Sequence, residues 1–184
     1  MSVSIAEYIE DQKNRFTQLE LSGFPLESAA RTTHALMANR IFVDGKNADD
    51  GDIGQYNDTN PLYVNPSKNS LPSFQTKGKT GKSKFANGDS HKTGYFDSYK
   101  DFRKAVGRGT SKVDLVLSGG FQSGFANGLF NKSDTEWVSM VSGKNADILE
   151  GQEERFGRIF GLTDQERATF KEVIVFEANK IFRK

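Results

Sequence analysis

The chain has 184 residues, a formal net charge of +1 and no cysteine. That length suits one domain, since separate domains usually need about 100–150 residues each. The missing cysteines exclude disulfide staples, thiolate metal sites and Cys nucleophiles together. Val, Ile, Leu and Phe make up about 24% of the chain, above the roughly 20% below which chains stay disordered. Hydrophobic residues amount to only 35%, so part of the chain is expected outside the core. No apolar run approaches the roughly 18–20 residues that span a bilayer. The acidic start, Met1 to Asp11, lacks the basic and apolar pattern of a secretion signal. The composition predicts a soluble protein made in a cytoplasm.

Charge is unevenly placed. Residues 1–64 carry 5 Lys/Arg against 10 Asp/Glu, residues 65–112 carry 11 against 3, and residues 113–184 carry 9 against 11. A basic middle between acidic flanks fits contact with nucleic acid, or with an acidic face of a neighbouring subunit; a solvated, self-repelling loop has the same composition.

Two helices are predicted first. Ser4-Ile5-Ala6-Glu7 reads as a capping box, and Ile5, Tyr8, Ile9, Phe16 and Leu19 mark one face to about Glu20. Ser22-Gly23-Phe24 breaks that helix, and Pro25 suits the first turn of the next. Leu26, Ala29, Ala30, Thr33, Met37 and Ile41 form the second stripe, whose small Ala residues permit close approach of a partner. The pair is expected as an αα-hairpin with an apolar seam.

From Val43 to about Thr93 helical periodicity disappears, and Gly, Asn, Asp, Pro, Ser and Lys supply turn chemistry. Ile53, Tyr56, Leu62, Tyr63, Val64, Leu71, Phe74 and Phe85 are scattered through it, more than a linker needs. The segment 43–93 reads as an extended arm, inserted between the second helix and a helix at 95–107, that packs onto something else. The alternative is a surface loop with a few short hairpins.

Tyr95, Phe96, Tyr99, Phe102 and Val106 give that 95–107 helix, with Gly107 as its cap. Val113 to Leu117 alternates as a strand, continued past Ser118-Gly119-Gly120 by Phe121 to Phe125. Trp137 to Val141 is a second strand, with turns at Asn127-Gly128 and Asn131 to Asp134. Asp147 caps a helix to about Phe156, with Glu150 at the capping-box position. Thr163-Asp164-Gln165-Glu166 is a third capping box, opening a last helix striped by Phe170, Val173, Ile174, Ala178, Ile181 and Phe182. The expected class is a single α+β domain over 1–184: a small antiparallel curved sheet packed by helices, with a long extended loop.

Few motifs carry chemistry. Gly78-Lys79-Thr80-Gly81-Lys82-Ser83 suggests a phosphate loop, but the glycine required five positions before Gly81 or Gly78 is missing: Thr76 and Ser73 stand there. The acidic run Asp49, Asp50, Asp52 and Asp58 fails as a calcium loop, because aligning Gly51 as sixth places Lys46 first and Ala48 third. His34 and His91 have no metal-ligand spacing, and Glu153-Glu154 point apart on a helix. No cofactor and no catalytic set are expected. Lys77, Lys79, Lys82 and Lys84, flanked by Phe74 and Phe85, are the candidates for contact with DNA phosphates or a protein neighbour. Tyr56 and Tyr63 join them as docking residues.

Several pieces read together. Arg40-Ile41-Phe42 is followed by Asp44-Gly45 and Asp50-Gly51, then by Gly78-Lys79-Thr80-Gly81, Tyr95-Phe96 and Phe102-Arg103. Asp114-Leu115-Val116-Leu117-Ser118-Gly119 comes next, and Arg155-Phe156-Gly157-Arg158-Ile159-Phe160-Gly161-Leu162 precedes the last helix. Over about residues 25–184 this order resembles the tailed-phage virion-morphogenesis family of tail-completion and neck (head–tail connector) proteins, most like versions from phages of Bacteroidetes hosts. The chain departs from the family in its long arm and in lacking Pro-Arg before the final Phe. The resemblance implies a non-enzymatic virion protein, assembled in the bacterial host cytoplasm, that forms a ring around the DNA channel. Its implied partners are copies of itself, portal, adaptor or adjacent tail-ring proteins, and phage DNA in the channel, with no membrane. A DNA-binding accessory protein using the lysine arm is the alternative.

Overall fold

The computed structural model describes residues 5–64, 80–84, 90–116, 119–133, 135–141 and 144–183. The fold is α+β. Helix α1 (Ile5–Ser22) precedes α2 (Phe24–Asn39), which begins from the left-handed Gly23 with Pro25 in its first turn. One turn of π-helix, Arg40–Asp44, widens the end of α2 and closes on Gly45, whose φ of 68° suits glycine. A Cβ at Gly45 would also stand 2.8 Å from the Val113 carbonyl oxygen.

Next come β1 (Leu62–Val64), β2 (Thr80–Lys84) and β3 (Ser90–Phe96), an antiparallel sheet with β3 in the middle. Its register sets Val64 and Thr80 on either side of Gly94, and Lys82 opposite Lys92. Helix α3 (Tyr99–Ala105) is capped by Ser98, whose hydroxyl accepts from the Asp101 amide. Helix α4 (Gly120–Ala126) leads into the hairpin of β4 (Leu129–Ser133) and β5 (Glu136–Ser139). Helices α5 (Lys144–Phe156) and α6 (Asp164–Phe182) complete the chain.

The main core gathers Met37, Ile41, Phe42, Ile53, Val113, Phe121, Phe125, Val141 and Ile159. Phe42 sets its ring edge-on to Phe121 and Phe125, at 5.9 and 5.6 Å between centroids. Val64, Phe96 and Phe102 form a second, smaller core beneath the three-stranded sheet. The stripe predicted on α2 is buried at Ala29, Ala30, Thr33, Met37 and Ile41, and its main partner is α6. The Thr163–Glu166 capping box forms in full.

Several expectations change. The αα seam does not form: α1 meets α6 more than α2, Phe16 packs edge-on against Phe182, and Ile5, Tyr8 and Ile9 stay exposed. The segment 43–93 is not simply an extended arm. Its first part enters the core through Ala48 and Ile53, and its later part supplies three strands. The 95–107 helix starts only at Tyr99, because Tyr95 and Phe96 pair with Tyr63 and Leu62 in the sheet. Residues 113–116 are irregular rather than a strand, with Leu115 at φ 52°. Phe121 to Phe125 is helical: four residues apart, both rings reach one core from one helix face. The turn expected at 131–134 is largely strand β4, and Asp147 lies inside α5 rather than capping it. Ser4, Leu71, Leu117, Ser118 and the side chain of Leu19 fall outside what is described.

Candidate functional site

Two buried arginines organise the polar interior. Arg40, on the π-turn, donates from Nε to Glu166 Oε1 at 2.8 Å, and from its terminal nitrogens to the carbonyls of Lys46, Ile159 and Gly161. Glu166 Oε2 also accepts from the Thr163 amide at 2.8 Å, so the capping carboxylate serves helix and arginine together. Four segments meet here: the end of α2, the 44–52 turn, the 157–162 connection and the start of α6.

Arg103 on α3 is 1% exposed. Its Nε donates to the Gly109 carbonyl, Nη1 to the Val116 carbonyl at 2.7 Å, and Nη2 to both oxygens of Asp114 at 2.8 and 3.1 Å. Its guanidinium lies 4.1 Å over the Tyr56 ring. The Tyr56 hydroxyl donates to Asp114 Oδ1 at 2.8 Å and accepts from the Asp114 amide at 3.1 Å. Burial, then the Asp114 hydrogen bond, pushes the Tyr56 hydroxyl well above its ordinary value. With their polar atoms committed to the fold, both clusters hold loops in place.

Beside Arg103 a cleft of about 400 Å³ opens among Tyr99, Leu115, Phe121, Gln152, Arg155 and Phe156. A second groove, of about 360 Å³, runs between α2, the β4–β5 hairpin and the start of α6, lined by Met37, Trp137, Phe160 and Phe170 among others. His34 lies in it, stacked on Phe125 at 4.6 Å. His34 Nε2 and Thr33 Oγ1 are buried without a hydrogen-bond partner among the described residues. Burial lowers the His34 pKa from its ordinary 6.5.

The sequence-predicted docking residues separate. Tyr56 is fixed inside the Arg103 cluster. Tyr63 is exposed on β1 beside Tyr95, at 5.1 Å between centroids. Lys82 and Lys84 lie on β2 at register positions opposite Lys92 and Ser90. Phe74, Lys77, Lys79 and Phe85 lie outside the described residues. Sequence reasoning assigned no role to Arg40, Arg103 or Asp114. The available signal was position: Arg40 and Arg103 adjoin buried Ile41 and Phe102, where a solvated cation is not expected.

Helix α1 exposes apolar side chains at helical spacing: Ile5 is 80%, Tyr8 59% and Ile9 48% exposed. Val175 and Phe176 on α6 are likewise exposed. Among the described residues no helix is long and apolar enough to cross a membrane, and no group of three His, Asp or Glu could hold a metal ion. Comparison with protein-family models, with curated proteins and with solved structures finds no significant match.

Proposed function

We propose that the chain is a structural, non-catalytic protein of a tailed bacteriophage particle, one of many copies in a ring around the DNA channel at the neck, head–tail connector or tail-completion level. The observation that carries this reading is the exposed stripe Ile5, Tyr8 and Ile9 on a helix whose other contacts are modest. Apolar residues at helical spacing in water mark a protein–protein surface. In a closed ring one face of each subunit meets a different face of the next, so such a stripe need not be self-complementary. The order of motifs from Arg40 to Leu162 supplies the phage part of the reading.

Sedimentation of the full chain tests self-association: the wild type forms higher-order species, and Ile5→Asp with Ile9→Asp shifts it to monomer without lowering its unfolding midpoint. Electron microscopy of the phage particle tests location, expecting density for this chain between head and tail. A monomer in every condition, absent from particles, would overturn the reading.

The second reading, a DNA-binding accessory protein, draws on the lysines of β2 and β3. It expects salt-sensitive retention on duplex DNA, lost when Lys82 and Lys84 become Ala.

A further inference from the structure

The cleft beside Arg103 takes its lining from α3 and α5. Helix α3 supplies Tyr99 and Arg103, four residues apart, and α5 supplies Gln152 and Arg155, three apart, so each pair shares one helix face. Tyr56 and Phe156 add two more half-buried rings, Tyr56 standing 5.5 Å from Tyr99 between centroids. The volume of about 400 Å³ falls within the roughly 300–1,000 Å³ of pockets that hold small molecules.

Two arginines and no carboxylate line this cleft. Arg103 is already matched, by Asp114 and by two backbone carbonyls. Arg155 is exposed, held 4.8 Å over the Phe156 ring, and in no ion pair among the described residues. Its neighbours three and four positions back on α5 are Gln152 and Gly151, neither of them acidic. The nearby Glu153 spends Oε1 on the Ile159 and Phe160 amides. Gln152 is half-buried, and its amide makes no hydrogen bond among the described residues.

The lining thus offers a free guanidinium, a free amide and aromatic surface within one cavity. A guanidinium grips a phosphate through two parallel N–H donors. Aromatic rings hold a base by stacking. A Gln amide, donating and accepting side by side, fits the edge of adenine. Three apart on a helix, Gln152 and Arg155 have Cβ atoms about 5–6 Å from each other, close enough to serve one bound molecule. We infer that the cleft binds a nucleotide unit, with its base among Tyr56, Tyr99 and Phe156, its base edge on Gln152 and its phosphate on Arg155. A free nucleotide and the end of a single strand present this same chemistry. The site goes beyond the ring reading and does not depend on it, and it uses none of the lysines of the basic middle.

Equilibrium dialysis of the full chain against AMP, adenosine and inorganic phosphate tests it. AMP binds, and adenosine and phosphate each bind at least about tenfold more weakly, because each meets only part of the lining. Arg155→Gln weakens AMP binding by about tenfold and leaves adenosine binding unchanged. Arg155→Lys, which keeps the charge without the planar fork, gives a smaller loss, and Gln152→Leu weakens AMP and adenosine alike. The unfolding midpoints of these variants stay at the wild-type value, since neither side chain holds another element by a hydrogen bond. A 5′-phosphorylated oligo(dA) that displaces AMP supports the site with a strand end as its source, and one that does not supports it with the free nucleotide. No AMP retained at about 1 mM overturns the inference. So does phosphate bound as tightly as AMP, which would mark an adventitious ion only, and so does AMP binding untouched by both Arg155→Gln and Gln152→Leu. Each of these failures leaves the ring reading standing, because self-association is measured separately.

Discussion

Arg40 and Glu166 lie 126 residues apart in the chain, and their side chains meet at 2.8 Å with both almost wholly out of water. Each has further duties: the arginine takes three backbone carbonyls, and the carboxylate caps α6. Removing one partner of such a pair leaves the other buried and uncompensated, which costs about 3–5 kcal/mol. Glu166→Gln keeps the shape and part of the cap, so it should fall at the lower end, and Arg40→Met at the upper end. Urea denaturation of each variant measures this. A loss below about 1 kcal/mol for Arg40→Met would show the pair to be dispensable.

Tyr56→Phe deletes the hydroxyl that bonds Asp114 twice and leaves the ring under Arg103 in place. The expected loss is about 1–2 kcal/mol, read from the shift in denaturation midpoint. There is also a pH signature. The folded chain holds the phenolic proton more tightly than the unfolded chain, whose value is about 10. The Tyr56 contribution is therefore complete below pH 10 and declines as pH rises above it. The Phe variant should lose that part of the alkaline fall.

His34 behaves in the opposite sense. Its folded pKa lies below the ordinary 6.5 because burial disfavours the imidazolium. The unfolded chain then takes up the proton first, so this stability is present above pH 6.5 and is lost as pH falls from there through the folded value. The slope is at most about 1.4 kcal/mol per pH unit. His34→Phe, which keeps a ring against Phe125, should flatten the stability profile between pH 7 and pH 5. Glu136 is the other titratable side chain lining the groove, and Glu136→Gln serves as its control.

Gly45→Ala combines a left-handed backbone with a Cβ only 2.8 Å from the Val113 carbonyl. Destabilisation of about 1–3 kcal/mol is expected from the backbone strain. Gly107→Ala is the matched control: its φ is also positive, at 72°, but its Cβ would meet nothing within 4 Å. A smaller loss at Gly107 than at Gly45 isolates the steric part.

The elements read best from sequence are those whose reasons are local. Helix α6 carries its start signal in Thr163 and Glu166, and both hydrogen bonds of the box form. Helix α2 shows its buried face through residues three and four apart. The errors fall where a local pattern has two physical uses. Val113 to Leu117 alternates like a strand, yet residues 113–116 run irregularly, held by Arg103 through Asp114 and the Val116 carbonyl. Phe121 and Phe125 suit either a bulged strand or one face of a helix. The β2–β3 hairpin has almost no apolar alternation, so neither period marks it.

The candidate surfaces divide in the same way. The lysines of the basic middle were legible as a charge run, but a run does not say which residues share a face. Sequence by itself determined the helical stripes, the caps, the absence of thiol chemistry and the charge asymmetry, because these depend on neighbours within a few positions. Tertiary structure alone decided that Arg40 and Arg103 are buried braces, that the α1 stripe stays in water, and that Lys82 and Lys92 stand opposite each other. Those outcomes depend on which distant segments meet, and no residue carries that information in its own surroundings along the chain.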